Sequence, residues 1–336
     1  MTTFKGIRGT AIQVVSSDPS NPEEGQIWYN SSSGTLKGYQ NVTLNAWASG
    51  GSLSTGRLGL AGANSGTQSA TIIFGGNSGP GAAPTFLTST EKYNGSSWTS
   101  APSLNTARNY LAGCGTQTSA LAFNGLTTTP APSGVSVLTE SYNGTSWTNA
   151  PNMNTAGQQR FGVGVSNSSA LCFLGSGPGS AFGLVNTESY NGTSWTSVNN
   201  ANTGRSGGGS AGVQGAALGF GGYRGGSGQQ SATESWNGTS WTSVNSLNTA
   251  RSGQGGSGSN ILALSFGGYT TALTGATELW NGTSWTNNPT GLATARSSMA
   301  GIGTQAAALA VGGSPSLTAT EAWNTTALRT RTVTVS

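Results

Sequence analysis

One alternation of apolar and polar residues recurs along most of the chain, and residues 251–285 carry its cleanest copy. RSGQGGSGS consists almost entirely of tiny residues, which favours an innermost strand where neighbouring sheets converge. ILALSF has the apolar and aromatic content of a buried strand and ends at Gly267-Gly268, a pair that permits turns with positive φ. The first half of the copy therefore predicts two strands, a and b.

The second half predicts two more strands joined by a tight hairpin. ATELWNG alternates so that Glu278 and Trp280 share one face of strand c. Asn281-Gly282 is a strong signal for a two-residue turn, and strand d begins at Trp285. Each copy is thus predicted to form a four-stranded antiparallel sheet.

The copies recur with a period in the forties. Successive spacings between equivalent tryptophans are 51, 49, 48, 46 and 44 residues, measured along Trp47, Trp98, Trp147, Trp195, Trp241 and Trp285. A period of this length with β-rich copies is typical of a ring of β-blades or a β-solenoid. We expect one continuous ring.

A glycine pair, a following aromatic residue and a tryptophan five positions later resemble the kelch repeat over roughly residues 25–325. In the second and third copies the first glycine of the pair is replaced, giving Asn124-Gly125 and Leu174-Gly175. The resemblance implies an all-β, kelch-like β-propeller of four-stranded antiparallel blades.

The number of blades depends on residues 1–50, which we separate from propeller repeats over 51–336. IRGTAIQVV, GQIWYN, TLKGYQ and LNAW could form the four strands of a first, seventh blade. Alternatively, this segment is an anchor, and the strand at Trp47 pairs with the last copy to close a ring of six. Seven blades is the favoured prediction.

Length variation is concentrated in the connection between strands b and c. From the glycine pair to the glutamate it spans 16, 16, 14, 13, 11 and 9 residues in successive copies. In an up-and-down meander these loops share a side with the d to a connections, which predicts one variable binding face. Aromatic groups beside hydroxyls and amides suit sugar rings, although each could instead pack its own loop. The candidate ligand-binding residues are Phe86, Phe182, Tyr223, Arg224 and Tyr269.

Acidic and basic residues recur almost in step, one of each in most copies. We interpret them as structural struts, because an isolated buried carboxylate must find partners and a catalytic group is needed only once. Glu234→Ala should then cost about 1 to 3 kcal/mol. The alternative makes them acids, bases or metal ligands. The glutamates are Glu91, Glu140, Glu188, Glu234, Glu278 and Glu321. The arginines are Arg57, Arg108, Arg205, Arg251 and Arg296, with Gly157 in the remaining copy.

Several classes of function are disfavoured. The chain has no histidine, which removes the commonest general base and metal ligand and argues against a copper site, and we expect no enzyme activity, cofactor or metal. Its 13 basic residues form no block suited to nucleic acid, and no apolar run or leader predicts export or membrane insertion. Cys114 and Cys172 are expected to be buried, unpaired thiols.

Residues 18–39, DPSNPEEGQIWYNSSSGTLKGY, are similar to a segment near the N-termini of marine bacteriophage structural and tail-fibre-like proteins of the cyanophage and pelagiphage type. The resemblance implies a non-enzymatic virion protein, assembled in the host cytoplasm in multiple copies. It would contact other virion proteins and display its variable face to a host-surface glycan or receptor. The alternatives are a purely structural knob or tail component, a glycan-acting propeller enzyme and a cellular kelch scaffold.

Overall fold

The computed structural model describes residues 12–79, 85–127, 134–178, 183–315 and 317–333. Regular structure in these ranges is entirely β-strand, as the sequence predicts. The chain divides into two compact units, one formed by residues 46–323 and the other by the two terminal segments, residues 1–45 and 324–336. This division falls a few residues before position 51 and assigns the end of the chain to the terminal unit.

Residues 46–323 form a β-propeller whose blades are antiparallel meanders ordered a, b, c, d from the axis outwards. Blade 1 contains β4 (Ala61–Gly62), β5 (Thr71–Phe74), β6 (Thr90–Tyr93) and β7 (Trp98–Ala101). Blade 2 contains β8 (Ala112–Thr116), β9 (Ser119–Phe123), β10 (Thr139–Tyr142) and β11 (Trp147–Ala150). Blade 3 contains β12 (Phe161–Ser166), β13 (Ser169–Phe173), β14 (Thr187–Tyr190) and β15 (Trp195–Val198).

The next two blades repeat this order, and blade 4 carries an additional ribbon between its strands b and c. Blade 4 contains β16 (Gly209–Val213), β17 (Ala216–Phe220), β20 (Thr233–Trp236) and β21 (Trp241–Val244). Its ribbon pairs β18 (Tyr223–Arg224) with β19 (Gly228–Gln229). Blade 5 contains β22 (Gly255–Gly258), β23 (Ala263–Phe266), β24 (Thr277–Trp280) and β25 (Trp285–Asn288).

The last blade combines strands from both ends of the sequence. Its strands a and b are β26 (Ala300–Gly303) and β27 (Ala307–Val311), strand c is the start of β28 (Thr320–Thr332), and strand d is the end of β3 (Thr35–Ser49). Within the described ranges the ring therefore has six blades. The alternative count is correct and the favoured count of seven is wrong, because the strand at Trp47 completes the last blade instead of beginning a new one.

A repeated tryptophan contact shows why Trp47 belongs in the ring. In most blades the strand d indole N–H donates to a strand c threonine of the preceding blade, for example Trp241 to Thr187 (3.0 Å) and Trp98 to Thr320 (2.9 Å). Blade 2 is the exception, because Nε1 of Trp147 has no hydrogen-bond partner among the described residues. Trp47 makes the same bond with Thr277 (3.0 Å). Trp47 thus occupies the strand d position of blade 6.

The core lies between blades, where strand b of one blade faces strand d of the next. Phe74 packs edge-on against Trp147, with 4.8 Å between ring centroids, and Phe220 packs in the same way against Trp285. Burying large aromatic pairs at each junction supplies the main driving force for ring assembly.

The terminal unit contains β1 (Gln13–Val15), β2 (Ile27–Asn30) and the parts of β3 and β28 outside the propeller. β1 pairs with β2 in parallel, and β2 pairs with β3 antiparallel. Asp18 accepts hydrogen bonds from Lys37, Asn30 and Trp28. These bonds, that from Lys37 above all, lower the pKa of Asp18 to about 2.

Candidate functional site

The propeller has two distinct faces. On one, the residue after each strut arginine pairs with the residue after the glycine pair, as in Ser206 with Tyr223 and Ser252 with Tyr269. The d to a and b to c connections therefore lie together, as the meander predicts, and we call this the loop face. The a to b turns and the Asn-Gly hairpins occupy the opposite, hairpin face; Gly282, for example, lies beside Ile261.

Buried ion pairs hold the d to a connections in place. Within the described ranges, five strut arginines each pair with the glutamate of their own blade, and every one of these arginines is fully buried. The second carboxylate oxygen of Glu234 accepts the backbone N–H of Asn202 (2.7 Å), which lies in the connection entering the blade. Burial lowers the pKa of Arg205 and the carboxylate of Glu234 opposes that shift. These carboxylates form ion pairs with arginines and accept backbone N–H groups inside the blades.

In blade 3 the strut position has no arginine, and Arg160 takes part of its role. Gly157 replaces the arginine, and a Cβ there would lie 2.5 Å from Cδ of Arg160. The Arg160 guanidinium donates to O of Asn186 (2.9 Å), the second residue before Glu188. Arg57 donates to the equivalent carbonyl in its own blade. The guanidinium of Arg160, three residues after the strut position, thus binds the carbonyl that a strut arginine binds in another blade. Glycine at position 157 leaves the space for this side chain.

A closed circle of backbone hydrogen bonds surrounds the axis on the loop face. One residue per blade, two positions after the strut position, donates its N–H to the carbonyl of the equivalent residue in the preceding blade, with N to O distances of 2.5 to 2.9 Å. We call these six residues the axial girdle. They are Gly59, Tyr110, Gln159, Gly207, Gly253 and Ser298.

Every girdle residue has a left-handed backbone, with φ between +49° and +65°. Glycine adopts this conformation readily and occupies three of the six positions. Tyr110, Gln159 and Ser298 occupy the others, although a left-handed backbone costs a residue with a Cβ roughly 1 to 2 kcal/mol. Strain of this kind is concentrated at functional sites.

The girdle encloses a cavity of about 280 Å³ at the axis. Its lining is rich in hydroxyl and amide groups, and Tyr223 and Tyr269 stand beside it with 46% and 41% of their surface exposed. Among the described residues that line it, Arg160 carries the only charge and none is acidic. A smaller cavity of about 120 Å³ continues along the axis between the glycine-rich a strands.

The predicted ligand-binding residues fall in different places. Tyr223 and Tyr269 both line the axial cavity. Arg224 follows Tyr223 in the short ribbon of blade 4 and is not part of the lining. Phe86 is half-buried and pairs with Asn77 in an isolated bridge, and Phe182 lies outside the described residues. The structure therefore brings two of the five together.

Tyr110 and Gln159 line the same cavity but were not among the predicted residues. The signal for them is present in the sequence, because the equivalent position in three other copies is glycine. A bulky residue where the repeat otherwise has glycine marks a local departure from the pattern. These two residues lie in a connection of nearly constant length, whereas the prediction of the binding face rests on the connections that vary in length.

Neither cysteine lines the axial cavity in the described structure. Cys114 and Cys172 are buried free thiols in one cluster, and burial raises the pKa of Cys172 to about 12 while Arg160 nearby opposes the shift. The described residues contain no group of histidine, cysteine or acidic side chains arranged to hold a metal. Nor do they include a helix with the length and apolar character needed to cross a bilayer.

Comparison with known proteins supports the fold. Among solved structures, the chain is similar to YjhT, a β-propeller protein, with a TM-score of 0.62 over 83% of this chain and 96% of that one. Sequence identity is 13%, so the likeness concerns the fold alone. No protein-family model matches the chain, and no curated protein matches it.

Proposed function

We propose that this β-propeller is a non-enzymatic bacteriophage virion protein that presents its loop face to a host-surface glycan. The observation that carries the proposal is the pair of exposed tyrosines, Tyr223 and Tyr269, beside the axial cavity on the face where the copies differ in length. Aromatic rings beside hydroxyl and amide groups provide both packing surface and hydrogen bonds for sugars. The virion assignment rests on the resemblance of residues 18–39 to phage structural proteins.

The positions of the carboxylates support a non-enzymatic role. Each repeat glutamate is buried on strand c, and five of the six in the described chain are paired with an arginine. The sixth, Glu188, accepts backbone and side-chain N–H groups of Asn154 and Thr155. An acid or base must reach the substrate, and these groups lie within the blades, not at the cavity.

Two measurements test the proposal. Mass spectrometry of purified phage particles from the source of this sequence should detect the chain, and antibody labelling should place it on the particle surface. The purified chain should bind host cells, and periodate oxidation of their surface glycans should abolish that binding. A chain missing from particles, or binding unaffected by periodate, would contradict the respective half of the proposal.

A second candidate is a purely structural knob that contacts other virion proteins through the hairpin face. Four exposed aliphatic side chains favour it, located at the a to b turns of three consecutive blades: Val165, Val213, Ile261 and Leu262. Exposed apolar surface of this kind is typical of protein contacts. Particles carrying Ile261→Ser and Leu262→Ser should then lose the chain, whereas loop-face variants should retain it.

A further inference from the structure

We infer that the axial cavity binds a single uncharged sugar ring and that Tyr110 and Gln159 of the girdle determine which one. This inference deepens the proposed glycan-binding function and rests on it for the origin of the sugar. Its starting point is the girdle itself, where near-identical copies carry different side chains around one opening.

Symmetry explains why those differences matter. Six equal copies would surround the axis with six equal groups, whereas a sugar presents a different hydroxyl on each side. The girdle is glycine in blades 1, 4 and 5, but tyrosine, glutamine and serine in blades 2, 3 and 6. The departures from the repeat therefore give the cavity the asymmetry that recognition of a sugar requires.

Backbone strain indicates that the side chains themselves are retained for a purpose. Tyr110 (φ +51°) and Gln159 (φ +49°) adopt the left-handed conformation that glycine takes without strain in the same position of other blades. Both are half-buried and line the cavity. Their backbone role in the hydrogen-bonded circle could be performed by glycine, so the circle does not account for tyrosine or glutamine.

Size and charge define the class of ligand. A volume of about 280 Å³ lies just below the range of pockets that hold drug-sized molecules, and so suits one ring. No acidic residue lines the cavity in the described chain, and the guanidinium of Arg160 donates to Asn186 inside blade 3. Nε and Nη1 of Arg160 are buried. Because those atoms are not exposed at the cavity surface, a neutral ligand is favoured over an anionic one.

The girdle also supplies polar groups that match sugar hydroxyls. Oε1 of Gln159 accepts a long hydrogen bond from Ser206 (3.3 Å), which leaves its amide nitrogen available as a donor. Tyr223 and Tyr269 add aromatic surface at the edge of the same cavity. Half-exposed aromatic surface with a few fixed polar groups is the usual composition of a small-ligand site.

The test is binding of free monosaccharides to the purified chain, measured by saturation-transfer NMR and by calorimetry. The panel contains neutral hexoses, 6-deoxyhexoses and N-acetylhexosamines, together with uronic and sialic acids. At least one neutral sugar should bind with a dissociation constant of roughly 1 mM. Binding by charged sugars alone, or by none of the panel, would overturn the inference.

Tyr110→Gly and Gln159→Gly separate a ligand role from a structural one. Each restores the residue that other blades have, so the melting temperature should stay the same or rise, while affinity for the sugar falls at least about tenfold. Asn124→Gly is the control for the backbone change: it also replaces a left-handed residue (φ +57°) by the glycine of other copies, but lies outside the cavity lining. Because the change also removes buried hydrogen bonds to the carbonyls of Ser136 and Thr155, Asn124→Gly should lower the melting temperature, and its binding is measured well below that temperature. It should leave affinity unchanged. Equal affinity in the Tyr110→Gly and wild-type chains would refute the assignment.

Host-cell binding distinguishes this inference from the function on which it rests. If the chain binds host glycans but no neutral monosaccharide binds the chain, the cavity assignment fails and the proposed function stands. If a neutral sugar binds in a Tyr110-dependent way but host cells are not bound, the cavity assignment stands and the proposed function fails.

Discussion

Replacing Glu234 by alanine tests whether the buried pairs hold the ring together. Glu234 and Arg205 are both buried, and the carboxylate also accepts the N–H of Asn202. Alanine removes the counter-ion and leaves that N–H without its acceptor. Arg205 keeps hydrogen bonds to the backbone carbonyls of Thr203, Gly219 and Gly221, so its donors stay occupied while its charge is left unneutralised.

The expected cost exceeds the 1 to 3 kcal/mol estimated from sequence. Removing one partner of a buried ion pair typically costs about 3 to 5 kcal/mol, because the remaining charge stays in a poorly solvating environment. For a domain of this size each kcal/mol lowers the melting temperature by roughly 2 °C, which gives a fall of about 6 to 10 °C.

Circular dichroism melting of a double-mutant cycle measures the pair directly. The cycle compares Glu234→Ala, Arg205→Ala and the double variant, and the coupling energy should be about 2 kcal/mol or more. Blade 3 supplies a matched control, because Glu188 forms no ion pair there within 4 Å in the described structure. Glu188→Gln should therefore cost less than Glu234→Gln. A coupling energy near zero, or equal costs for the two glutamines, would refute the strut interpretation.

Three further outcomes are expected. Trp47→Ala should lower the melting temperature and hasten proteolysis of the N-terminal strand, because it opens the junction that closes the ring; unchanged proteolysis would contradict closure by this strand. Gly157→Arg should destabilise the chain alone but not when combined with Arg160→Leu, because the two side chains would otherwise compete for one space; melting curves of the single and double variants check this. The stabilisation from the lowered pKa of Asp18 is present above pH about 4 and should be lost as the pH falls towards about 2, so Asp18→Asn should remove that acid dependence in NMR spectra of the terminal unit, while Lys37→Met should weaken it.

Much of the fold is predictable because the same strand and turn pattern recurs in successive copies of the repeat. Copies with glycine pairs and Asn-Gly turns locate the four strands of each blade, and short-range turn chemistry fixes their order. The number of blades is less predictable from the sequence, because strand-like runs in residues 12–45 are compatible with a blade of their own. The pairing of Trp47 with Thr277 is a contact across 230 positions, which no local pattern contains.

The candidate site is only partly predictable for a related reason. Tyr223 and Tyr269 are visible as aromatic residues directly after a glycine pair, on the side where loops vary. Tyr110 and Gln159 sit in a connection of nearly constant length, and their proximity depends on all six blades meeting at the axis. The role of Arg160 in place of the arginine missing at position 157 likewise depends on the folded blade. Only there does its guanidinium reach the carbonyl of Asn186, 26 positions along the chain.

The most direct test of the central claim compares host-cell binding by two matched double variants. Tyr223→Ser with Tyr269→Ser removes exposed aromatic groups from the loop face, and Ile261→Ser with Leu262→Ser removes exposed apolar groups from the hairpin face. Measured by flow cytometry with the fluorescently labelled chain, binding should be lost in the first variant and retained in the second. Retention by the first variant and loss by the second would place attachment on the opposite face and contradict the account.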